Sequence, residues 1–146
     1  MNKKKIIIIL VAVLLGGGYG AYTFLGPKPA VAKEKISGII YVLPKGFTFN
    51  LTGGHYATMT VALVLAVGQS DGSSADGATT TPAGFGTLIE EPVIRDIITD
   101  IITGQSPQTL VSPSGRAHLK AQILAAIGAQ SDVKVTEILF TDVAVQ

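Results

Sequence analysis

The sequence predicts an α+β domain carried on a single N-terminal transmembrane helix. Three observations predict it. Residues 6–25 contain no charged side chain. Residues 41–67 and the end of the chain alternate apolar and polar side chains with a period of two, as half-buried strands do. Between them, two segments repeat apolar residues every three to four positions, as amphipathic helices do. The order is strand, strand, helix, helix, strand. The compact solution is a small antiparallel or mixed sheet covered by two helices.

The first element is the apolar run. At about 1.5 Å rise per residue, roughly 20 residues cross a hydrocarbon core of about 30 Å. Lys3, Lys4 and Lys5 precede the run and place residues 1–5 in the cytoplasm; Tyr19, Tyr22 and Phe24 lie toward the far end, where aromatic rings favour the interface. The rest of the chain is then extracytoplasmic. A cleaved signal peptide is the rival reading, with Ala30-Val31-Ala32 as its cleavage site. Residues 16–29, with Pro27 and Pro29, separate that site from the solid apolar run by more than an ordinary cleavage region allows. Ala12, Gly16 and Gly20 recur every fourth residue, a spacing that lets two membrane helices approach closely. Glycine is also simply common in membrane helices, which is the alternative account.

Residues 26–35 read as a short linker, stiffened by proline and kept in water by charge. The domain begins at Ile36. From there five basic residues face nine acidic ones, a net charge of −4. Nucleic acid is therefore not an expected partner, since there is no basic face to meet phosphates. Cysteine is absent, which excludes a disulfide framework, a thiolate metal site and a cysteine nucleophile.

Within the domain, residues 41–52 read as a strand, with Phe47, Phe49 and Leu51 alternating with Thr48 and Asn50. Pro44-Lys45-Gly46 interrupts its start as an edge or bulge. Gly53-Gly54 supplies a turn into a second strand at residues 56–67. There Ala57, Met59, Val61, Leu63, Leu65 and Val67 share one face, and the other face turns apolar at Ala62, Val64 and Ala66. Residues 68–86 are rich in Gly, Ser, Thr and Asp and read as a flexible loop. A helix follows. Pro92 suits its first position, Glu90 and Glu91 favour its positive end, and Val93-Ile94, Ile97-Ile98 and Ile101-Ile102 form its stripe up to Gly104. Ser112-Pro113 opens a second helix lined by Leu119, Ile123 and Ile127, with Gly128 closing it. Residues 133–146 form the last strand, with Val133, Val135, Leu139, Val143 and Val145 on one face.

No chemistry-bearing constellation emerges, and the chain is not expected to be an enzyme. His55 and His118 lack partners at metal-ligand spacing. Asp71 and Asp76 do not fit a calcium loop. Glu90-Glu91 is explained as first-turn helix charge rather than an acid–base pair. Ser114-Gly115 lacks the surroundings of a nucleophile elbow. Asn50-Leu51-Thr52 fits a glycosylation sequon, but inside a strand it is inert. No cofactor, metal or small-molecule substrate is expected. The remaining parts place a binding or scaffolding surface near the outer face of a membrane; a tethered ligand-binding or sensor domain has the same parts.

Several segments carry a resemblance in their order along the chain. They are NKKKIIIILVAVLLGGGYGAY, the phenylalanine strand ending in Asn50-Leu51, LIEEPVIRDIITDIITGQSP, SGRAHLKAQILAAI and VKVTEILFTDVAVQ. Together they resemble FliL, the flagellar basal-body-associated family. The end is the most specific part: Phe140, Thr141, Val143, Val145 and Gln146 meet a terminal pattern typical of the family, with Val143 where phenylalanine is frequent. The resemblance implies an inner-membrane protein at the flagellar motor with a periplasmic domain resembling the stomatin/prohibitin fold. It implies self-association into a ring around stator units, with MotA/MotB-type stator subunits as partners, and a role in stabilising or recruiting them for swimming and swarming.

Overall fold

The structure, a computed structural model, describes residues 35–72 and 83–146. The basic tip, the apolar run with Ala12, Gly16 and Gly20, residues 26–34 of the linker, and Asp76 lie outside the described residues. Among the described residues, no helix is long and apolar enough to cross a membrane.

Residues Ile36–Gln146 form one compact unit. Among the described residues it is an α+β layer of one antiparallel sheet and three α-helices. The strands are β1 (Ile39–Val42), β2 (Phe47–Asn50), β3 (Tyr56–Leu65) and β4 (Val135–Val145). The helices are α1 (Glu91–Ile102), α2 (Pro107–Val111) and α3 (Pro113–Gln130). β3 lies in the middle. β4 runs along one side of it, and β1 and β2 share the other side.

The sequence reads one interrupted strand at residues 41–52; the structure splits it into β1 and β2. Pro44 has no N–H to give to a ladder, and Lys45 takes a positive φ of 60°. β1 pairs with the second half of β3 and β2 with the first half, so together they make one edge. Gly38, just before β1, has φ +125°, and a Cβ there would sit 2.1 Å from the Leu65 carbonyl oxygen. Only glycine lets the chain enter the sheet so closely.

The period-2 pattern holds where it was clearest. Phe47, Phe49, Met59, Leu63 and Leu65 are buried beneath the helices, and the two phenylalanine rings stack 5.4 Å apart. Ala62 and Val64 point to the opposite face of the sheet and are buried as well. On that face Ile40 and Val42 stand beside them from β1, and Leu139 from β4.

β4 departs from strict alternation. Register shifts fall opposite Thr60/Val61 and Val64/Leu65. Each inserts an extra residue and flips the faces beyond it. As a result Ile138 and Phe140 pack toward the core, and Leu139 does not. Val133 and Val135 are on the core side, as the sequence suggests.

The isoleucine stripe of α1 buries Ile94, Ile97, Ile98 and Ile102, while Val93 is left exposed. Pro92 stands one position into the helix, after Glu91. α2 escapes a sequence reading because it has only five residues; Ser106 caps it by accepting from the Thr109 N–H. Ser112 caps α3 in the same way, accepting from the Gly115 N–H at 3.1 Å. Leu119, Ile123 and Ile127 are fully buried. α3 continues through Gly128 to Gln130, so Gly128 is an interior helical residue and not its stop.

Candidate functional site

The most concentrated polar cluster is built where residues 86–91 meet β1. Glu91, at the first position of α1, is fully buried. Its Oε2 accepts from the Tyr41 hydroxyl at 2.6 Å and from the Gly86 N–H at 2.8 Å. The Tyr41 oxygen in turn accepts from the Leu88 N–H at 3.3 Å. Oε1 accepts no hydrogen bond among the described residues and lies 3.8 Å from Arg95 Nη1. Arg95, one helical turn on, donates to the carbonyls of Pro44 and Lys45 at 2.8 and 3.2 Å. Its guanidinium sits 4.1 Å above the Phe47 ring centroid.

Burial, and secondarily the bond to Glu91, holds the Tyr41 phenol above its ordinary pKa. Gly86 is required for space. A Cβ there would sit 2.0 Å from the Tyr41 hydroxyl. The sequence reads Glu91 as a first-turn charge, and it is one. What that reading misses is its burial and its partners, because Tyr41 lies 50 residues away. The cluster points inward and ties three chain segments together.

The other sequence-level candidates lie apart. His55 is exposed in the turn before β3, its Nδ1 3.1 Å from the Gln146 carbonyl oxygen. His118 is exposed on α3. Glu90 does not join Glu91; its Oε2 accepts from the Asp132 N–H at 3.1 Å. Among the described residues, no three metal-ligating side chains come together.

The C-terminal motif residues lie on or just past β4, and they divide by role. Phe140 and Val145 pack against the core, and Lys120 Nζ sits 5.4 Å from the Phe140 ring centroid. Thr141 is the extra residue of one bulge, its hydroxyl donating to the Thr60 carbonyl. Val143 pairs with Met59 and is more than a third exposed. Gln146 closes the far end of the sheet: it exchanges backbone hydrogen bonds with Tyr56, both at 2.9 Å, and its side chain accepts from the Tyr56 hydroxyl. Beside this segment runs an open groove of about 430 Å³, lined by Thr48, Thr58, Thr60, Asp142 and Ala144 among others. Its lining mixes the hydroxyls of Thr48, Thr58 and Thr60 and the Asp142 carboxylate with the apolar Phe47, Met59 and Val143.

Compared with known protein families, residues 40–146 match one described as flagellar basal body-associated protein FliL, which is well over half of the chain. No curated protein matches the chain.

Proposed function

The chain belongs to the FliL family of flagellar basal body-associated proteins, and on that premise we propose that it is a non-catalytic, single-pass inner-membrane protein of the flagellar motor. In this reading residues 1–5 are cytoplasmic, 6–25 span the membrane, 26–35 link, and 36–146 are the periplasmic domain. The domain assembles into a ring around stator units and stabilises or recruits them, supporting swimming and swarming. The family match is the observation that carries the reading. The uncharged run of residues 6–25 behind three lysines supports its topology. Ala12, Gly16 and Gly20 serve helix contacts in the membrane, and the sheet edges and helix faces of the domain serve ring formation.

In-cell cross-linking with mass spectrometry of the full chain tests the proposal. Cross-links dominated by stator subunits and by copies of the chain itself are the expected result. Cross-links dominated by unrelated envelope proteins, with stators missing, would overturn it in favour of a tethered sensor domain. Replacing Gly16 and Gly20 with leucine is expected to weaken assembly and motility. Undiminished ring formation in that variant would remove the membrane helix from the account.

A further inference from the structure

The domain has two distinct ends. Gly38 lies against the Leu65 carbonyl. The Ala66 N–H donates to the Lys134 carbonyl at 2.8 Å, and the Lys134 N–H to Gln69 at 3.2 Å. Asp132 meets Glu90, and Leu88 meets Tyr41. These contacts gather the start of β1, the end of β3, the start of β4, the residues before α1 and the end of α3 at one end. The described chain also begins there, at Lys35.

The same end carries exposed aliphatic side chains from three separate segments: Ile36, Ile39 and Ile40, then Val67, then Ile89. Val67 is 84% exposed and Ile89 66%, more than any other large apolar side chain described. Toward the opposite end Val111 is 57% exposed, and Tyr56 and Val143 less so, each from a different element. Isolated surface aliphatics are ordinary, but several converging on one end mark an interaction surface.

We propose that this end rests on a lipid bilayer, inserting Val67 and Ile89 into the headgroup region of the membrane. The inference rests on the membrane anchor of the proposed function. The length and position of the preceding chain select the occupant. Only about ten residues separate Ile36 from the end of the uncharged run, a reach of no more than roughly 35 Å even when fully extended. The crown of aliphatics therefore stays within reach of the bilayer that holds the run. Lys35 and Lys134 at this end are outnumbered by Asp71, Glu90, Asp132 and Glu137, so no basic patch draws the end to anionic lipid, and the contact is apolar in character and scales with buried aliphatic area.

The chain has no cysteine, so single nitroxide labels are unambiguous. The full chain is reconstituted in phosphatidylcholine vesicles with labels at Leu14→Cys, Val67→Cys, Ile89→Cys or Val111→Cys. Collisions with oxygen, which enters lipid, are compared with collisions with a water-soluble nickel chelate. Labels 67 and 89 replace exposed side chains, and circular dichroism confirms that each variant keeps its fold. Labels 14, 67 and 89 are expected to favour oxygen, with label 111 favouring nickel. Label 14 in lipid with 67 and 89 in water overturns this proposal and leaves the anchor standing. Label 14 in water overturns both. Labels 67 and 89 shielded from both reagents, with spin–spin broadening, mean that a second copy covers this end, and the lipid contact falls. Label 111 in lipid as well shows non-specific adsorption and equally overturns it.

Discussion

Replacing Tyr41 with phenylalanine removes one oxygen from the centre of the buried cluster. That oxygen donates to a fully buried carboxylate at 2.6 Å and accepts from the Leu88 N–H. A hydrogen bond to a charged group contributes about 1.5–3 kcal/mol, and its loss here leaves buried groups unmatched, so Tyr41→Phe is expected to cost about 2 kcal/mol. For a domain of this size that lowers the melting temperature by roughly 10 °C. Gly86→Ala acts at the same point by crowding, because its Cβ would meet the hydroxyl at 2.0 Å. Overpacking of this kind costs about 2 kcal/mol. If both effects act through the hydroxyl, the double variant loses less than their sum. Phenylalanine frees the space that the alanine methyl needs, and a favourable coupling of about 1 kcal/mol is expected. The relief is partial, since the methyl would still lie 2.9 Å from Glu91 Oε2. Urea unfolding of the full chain in detergent, followed by circular dichroism, measures all four corners of the cycle. A Tyr41→Phe change within about 0.5 kcal/mol of zero, or strict additivity in the double variant, refutes the account of this cluster.

Alkaline pH probes the same hydroxyl. The folded-state pKa of Tyr41 is raised, so its contribution is complete below about pH 10 and is lost as pH rises through the folded value; stability above pH 10 should fall less steeply in Tyr41→Phe, as seen in unfolding midpoints across pH. Arg95→Lys keeps the charge but loses the planar group that lies over Phe47 and bonds two carbonyls, and denaturant titration should show a loss of about 1–2 kcal/mol. Ser112→Ala removes the cap of α3, with an expected loss of about 1 kcal/mol in the same assay.

Much of the domain was legible because its signals are local. Phe47 and Phe49 alternate within β2 with Leu51 just past its end, the isoleucines of α1 recur within one helix, and Ser112 caps a helix three residues from its donor. What escaped depends on partners distant in sequence. The bulges of β4 exist only against β3, so Leu139 reads as core while Ile138 and Phe140 take that place. The positive φ of Lys45 shows only when β1 and β2 are both held to β3. Gly128 resembles a helix stop, yet the exposed last turn tolerates it at a propensity cost of about 1 kcal/mol. Glu91 was found as a residue but not as a site, since the sequence does not reveal that Tyr41 lies above it.

The cluster also bears on the exposed end of the domain. A carboxylate that does acid–base work must reach a substrate, whereas Glu91 is enclosed by a tyrosine, a backbone N–H and an arginine. Its effect is to fix the chain ahead of α1. Ile89 lies between Leu88, whose N–H is bound by Tyr41, and Glu90, which holds the Asp132 N–H. An isoleucine free to move would turn its side chain toward apolar neighbours. Here both flanking residues are fastened, and the side chain stays outside the core, exposed at this end of the domain. Releasing one fastening should therefore loosen the residue between them. A nitroxide at Ile89→Cys is expected to show a broad, restricted line shape in the otherwise native chain and a narrower, mobile one when Tyr41→Phe is added, while the same label at Val111→Cys stays unchanged. Equal line shapes at position 89 in the two backgrounds would separate the cluster from the surface it borders and leave it a role in stability alone.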